Sequence, residues 1–127
     1  MTARAAVIAA LSTQVGPGLP LEGVDVIGYA RSIDPPAVNT VLVRLDDVVP
    51  SPDNPQAENL HHYSLILLTP LTEPGAADDE LEAFLEDVLF AVAKAGNLTW
   101  SKATRATYQG TNYPAFEVAL DVPFLKE

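Results

Sequence analysis

The chain has 127 residues, no cysteine and a formal charge of −10, from 17 acidic side chains against 7 basic ones. One domain with a proper core is the expectation at this length, while the missing thiols exclude a disulfide framework, thiolate metal sites and a cysteine nucleophile. The negative balance disfavours a conventional nucleic-acid binder, which needs cations against phosphate, and an anionic membrane surface would repel the chain.

The elements are read in chain order. Thr2 is placed to cap a helix running to about Val15, with Ile8, Leu11 and Val15 as its apolar stripe and a run of alanines for propensity. Gly16-Pro17-Gly18 ends it. Three strands are expected next: Val24 to Ala30, Val38 to Asp47 with its β-branched residues, and Leu60 to Thr69. The last has apolar residues of both parities at its centre, Leu65 and Leu67 against Ile66 and Leu68, as in a strand covered on both faces. The connection from Val48 to Asn59 holds Pro50, Pro52 and Pro55, and is expected to be a stiff, projecting loop.

A second helix carries the strongest local signal. Leu81, Phe84, Leu85, Val88, Leu89 and Val92 form one continuous stripe, with Asp78, Asp79, Glu80 and Glu82 expected near the positive end of the helix dipole. Lys94 falls in the last turn and Gly96 is the stop. A hairpin closes the chain, Leu98 to Tyr108 and Ala115 to Phe124, joined through Gln109 to Pro114. The order α-β-β-β-α-β-β predicts an α+β fold: a mostly antiparallel sheet of four to five strands, with two helices packed on one face. Residues 1–127 read as a single domain.

No stretch reads as a catalytic centre, cofactor site or metal site. His61 and His62 are neighbours on a strand and point to opposite faces, so they do not converge on one metal. Asp46-Asp47 diverges by the same rule and lacks a nearby base. The acidic run at Asp78 lacks the oxygen spacing and central glycine of a calcium loop. Trp100 and Tyr108 share a strand parity, which suits packing better than base stacking without surrounding positive charge. Phe90 stands out. It lies nearly opposite the apolar stripe, among Ala83, Glu86 and Asp87, and asks for cover from a loop of the chain or from a second subunit.

The segments "VNTVLVRLDDVVPSP", "YSLILLTP", "DDELEAFLEDVLFAVAKAG" and "YPAFEVALDVPF", taken after the opening helix and its Gly-Pro-Gly break, together resemble the tail terminator proteins of long-tailed bacteriophages. The likeness covers nearly the whole chain in element order and length, through patterns of strand and helix. It implies a virion protein of the tail and neck, present in the host cytoplasm during assembly, that forms a ring of usually six copies. That ring stops growth of the tail tube and presents the surface joining it to the head. The implied partners are further copies of the chain, the tail tube protein and the head-side connector. DNA passes through the lumen without specific binding, past an anionic wall that repels it.

On this reading Phe90, Glu86, Leu68 and Ile66 are candidates for the contact between subunits. Pro50, Pro52, Asp53, Pro55 and Glu58 are candidates for contact with tube or connector. The alternatives are another neck or tail-completion protein, or an acidic inhibitor or immunity-type module for a basic enzyme. A small-molecule enzyme ranks last.

Overall fold

The computed structural model describes residues 2–28, 38–53, 56–71, 73–95, 98–108 and 113–125. Ala30, Pro55, Gly96 and residues 109–112, on which parts of the expected strands, loop and helix end fall, lie outside the described residues. The elements are α1 (Ala3–Ser12), β1 (Asp25–Ile27), β2 (Thr40–Pro50), β3 (Glu58–Leu68), α2 (Pro74–Ala95), β4 (Thr99–Tyr108) and β5 (Tyr113–Leu125). They build one five-stranded mixed sheet in the order β1-β2-β3-β5-β4, with only the β1–β2 pair parallel. This is the predicted α+β class.

Thr2 caps α1, its Oγ1 accepting the Ala5 amide at 3.1 Å. The fully buried stripe is Ala3, Val7 and Leu11; of the expected stripe Leu11 is at its centre, Ile8 and Val15 pack partly buried against the same core, and the helix stops at Ser12, short of Val15. Thr2→Ala is expected to cost about 1 kcal/mol of stability, read by urea unfolding. A turn follows in which Gly18 and Gly23 take positive φ and Leu21 drops fully into the core.

α2 starts at Pro74, four residues before the acidic run. The Glu73 carboxylate accepts the Ala76 amide at 2.6 Å, and a proline suits the first turn. No acidic residue falls in that first turn, which removes the dipole explanation for Asp78 to Glu82. Asp78 instead pairs with Arg105 of β4, and Glu80 accepts a hydrogen bond from Asn39 at 2.8 Å.

One apolar cluster takes in both helices and one face of the sheet. Val7 and Leu11 of α1, with Phe84, Val88 and Val92 of α2, meet Val43, Leu65, Val118 and Leu120. The opposite face also buries apolar surface. Leu42, Ile66, Leu68 and Ala115 form a second cluster with Ile27 against it. The two parities of β3 therefore serve two cores, which is why the middle of that strand is apolar throughout.

The Val48–Asn59 connection differs from its prediction. Val48, Val49 and Pro50 stay in β2, opposite His61, Leu60 and Asn59 of β3, and the Ser51 amide still donates to Glu58 O at 3.1 Å. The prolines sit at and beyond the hairpin end, where a missing backbone donor does little harm. The segment is a long β2–β3 hairpin arm rather than an extended loop, and β5 runs beside β3 as far as Leu125, so only the β2 edge of the arm is open.

Candidate functional site

The polar groups that the fold draws together lie on the sheet face away from the helices. A β-bulge between Leu45 and Asp47 is responsible. Its extra residue breaks strict alternation, so Asp46 and Asp47, neighbours expected to diverge, both engage partners on this face. Asp46 accepts from Ser64 Oγ and pairs with Arg44 Nε at 2.9 Å. Arg44 also reaches Glu117 at 2.7 Å across β3. His62 lies between Asp47, in hydrogen-bond contact with its Nδ1, and Asp121, 3.4 Å from its Nε2.

The chemistry of this cluster is self-contained. Burial opposes the charge of Arg44, but its hydrogen bond to Asp46 and the neighbouring Glu117 overcome that and raise its pKa. Arg44 and His62 are both engaged by carboxylates of the chain itself, so the cluster ties β2, β3 and β5 together. Among the described residues no group of histidine and carboxylate side chains is arranged to hold a metal ion. No helix among the described residues is long and apolar enough to cross a membrane.

The two histidines do part as predicted. His61 lies on the helix side of the sheet, stacked with Tyr63 at 6.3 Å and edge-on to Phe124 at 5.9 Å. A second bulge, between Trp100 and Lys102, shifts the register of β4 and breaks the strict alternation assumed for Trp100, while the side chain of Tyr108 lies outside the description.

Phe90 is 55% exposed. It forms one wall of an open depression of about 530 Å³, between Asp87 and Lys94 of α2 and the turn residues Gly18, Leu19 and Pro20. Lys94 Nζ stands 4.9 Å from the ring centre, a cation–π contact. The turn and the lysine thus cover part of the ring and leave the rest to solvent. Glu86 is exposed on the same helix. Burial, then repulsion from Glu80 and Glu86, raises the pKa of Asp87. A carboxyl with a raised folded pKa weakens the fold once ionised, so the penalty appears as pH climbs through the carboxylate range. Asp87→Asn is expected to give a small gain in melting temperature at pH 7 that vanishes near pH 3.

Ile66 and Leu68 are 4% and 0% exposed, packed with Leu42 and Ala115. They offer no free surface to a second subunit, and the interface expectation is corrected for both. Pro50, Pro52 and Asp53 are exposed at the end of the β2–β3 arm. Glu58 is half-buried at the same end, accepting from Ser51 Oγ at 3.1 Å. The sequence pattern did not single out Leu45, Val48 and Val49, whose apolar side chains the arm leaves exposed, together with Trp100 on β4. Three apolar residues within five positions of a predicted strand and loop were the available signal.

Compared with known protein-family models and with curated proteins, the chain matches none.

Proposed function

We propose that this chain is the tail terminator of a long-tailed phage: a ring subunit that seats on the end of the tail tube, halts its growth and receives the head-side connector. The observation that carries the proposal is the placement of the exposed apolar side chains. Phe90 on α2, Trp100 on the β4 edge and Leu45, Val48 and Val49 on the arm lie in separate places. Several distinct apolar patches on one small acidic chain suit a component held between copies of itself and other parts of an assembly.

The mechanism is steric. A ring bound to the tube end covers the surface that would recruit the next tube ring, and the projecting arm, with Pro50, Pro52 and Asp53 exposed, is suited to that contact. The charge of −10 suits a channel through which DNA must slide without adhering. The paired ions of the open sheet face support a structural role, because they satisfy one another.

The test is a tube-growth assay. Tail tube protein polymerised with increasing amounts of this chain is expected to give progressively shorter tubes, with growth arrested once ends are covered. Tube lengths that ignore the chain at every ratio would remove the proposal. A tight one-to-one complex with a basic enzyme would favour the inhibitor reading instead.

A further inference from the structure

The sheet carries opposite charge on its two flanks. On one side the arm from Leu45 to Leu60 holds Asp46, Asp47, Asp53 and Glu58 and no lysine or arginine. On the other, β4 holds Lys102 and Arg105 and no carboxylate. β4 is the outermost strand of its side. On the other side β1 faces only Thr40 to Leu42 of β2, so the arm extends well past it. Each flank also exposes large apolar side chains, Leu45, Val48 and Val49 on the arm and Trp100 on β4, all between 37% and 43% exposed.

We infer that these flanks are the two halves of one subunit contact: the basic β4 flank of one copy docks against the acidic β2 arm of the next, with Trp100 as the apolar anchor. The inference rests on the reading of the chain as a ring subunit and names the surfaces that close the ring. Two features single out a second copy as the occupant. The first is charge. β4 against β4 sets cations against cations, and arm against arm sets carboxylates against carboxylates, whereas β4 against arm pairs opposite signs. The second is level. Leu45 lies opposite Tyr63, Tyr63 opposite Leu120, and Leu120 opposite Trp100, so Leu45 and Trp100 end one row across the sheet. Lys102 lies in the row of Arg44, so the copies meet with a stagger of two residues, which sets Trp100 against Val48 and Lys102 against Asp47.

Opposite flanks cannot meet within one chain, so the contact is head-to-tail and propagates until it closes. Arg105 already pairs with Asp78 within the chain, and Asp46 with Arg44, which leaves Lys102 and Trp100 as the sharper probes.

Two variants test this by complementation. Trp100→Ala/Lys102→Glu disables the β4 flank, and Val48→Lys/Asp53→Lys disables the arm. All four residues are exposed, and circular dichroism checks that both variants fold. Sedimentation at high protein concentration should show the wild type assembling, with an association constant that falls about tenfold or more between low and high salt. Each variant alone should be monomeric, and their mixture should stop at a one-to-one dimer, because one good flank remains on each. Assembly of either variant alone, a mixture that stays monomeric, or a wild type that stays monomeric near millimolar overturns the inference. Tube arrest by a protein whose two variants still assemble would sink this contact and leave the terminator reading intact. Complementation by a chain that never arrests tubes would do the reverse.

Discussion

Ile66→Asp is expected to abolish the fold rather than merely the assembly. Ile66 is 4% exposed, in contact with Leu42, Leu68 and Ala115; Glu117 lies directly opposite it on β5, and Arg44, the cation of that face, is already engaged by Asp46 and Glu117. A carboxylate there has no partner and loses its hydration, a change that belongs to the small class of substitutions costing about 4 kcal/mol or more. That is a large part of the stability of a domain this size. The measurement is near-ultraviolet circular dichroism with urea unfolding. A cooperatively folded Ile66→Asp monomer would return Ile66 to the surface. Phe90→Ser is the contrast, since a ring 55% exposed should change monomer stability by no more than about 0.5 kcal/mol.

Phe84→Ala is expected to lower stability by about 3–5 kcal/mol. Phe84 is 2% exposed at the centre of the α2 stripe, in the same cluster as Val7 and Leu11 of α1 and Leu65 and Val118 of the sheet. Truncation removes the ring's transfer energy and leaves a cavity between elements already fixed by the hydrogen-bonded sheet. The midpoint in urea should fall with little change in slope, since the surface exposed on unfolding is nearly the same. A shift below about 1 kcal/mol would mean that α2 is held by something other than its apolar stripe.

The parts of this fold that were legible in the sequence are those governed by local periodicity. Leu81, Phe84, Val88 and Val92 announced α2 because burial repeats every turn, and all four are buried. The two-sided β3 was legible because its apolar residues occupy both parities. The places where reading failed are places where one residue changes the phase. The bulges after Leu45 and Trp100 insert a position that no alternation rule foresees, and each reassigns side chains to a face. That is how Asp46 and Asp47 came to share a face and how strict alternation was lost after Trp100.

Long-range pairing was the other blind spot. Nothing local distinguishes an exposed loop rich in valine and proline from a hairpin arm until β3 is known to run alongside it. Ile66 and Leu68 looked like surface because their covering partners, Leu42, Ala115 and Ile27, come from three other strands. Phe90 was legible for the opposite reason: its helical phase alone places it away from the core, and it is exposed.

In the proposed subunit contact, electrostatics joins these surfaces. A chain at −10 would be expected to repel its own copies. Concentrating Lys102 and Arg105 on β4 gives it one flank on which an acidic neighbour is welcome, so association can be directional despite the overall charge.

As proposed, the chain acts as a ring on the end of a tail tube. Electron microscopy of purified chain mixed with preformed tail tubes tests it most directly. The predicted image is a single extra ring, one layer thick, at one end of each tube, and tubes so capped should no longer elongate when fresh tube protein is added. Bare tube ends at saturating chain, or chain spread along the tube wall, would contradict it.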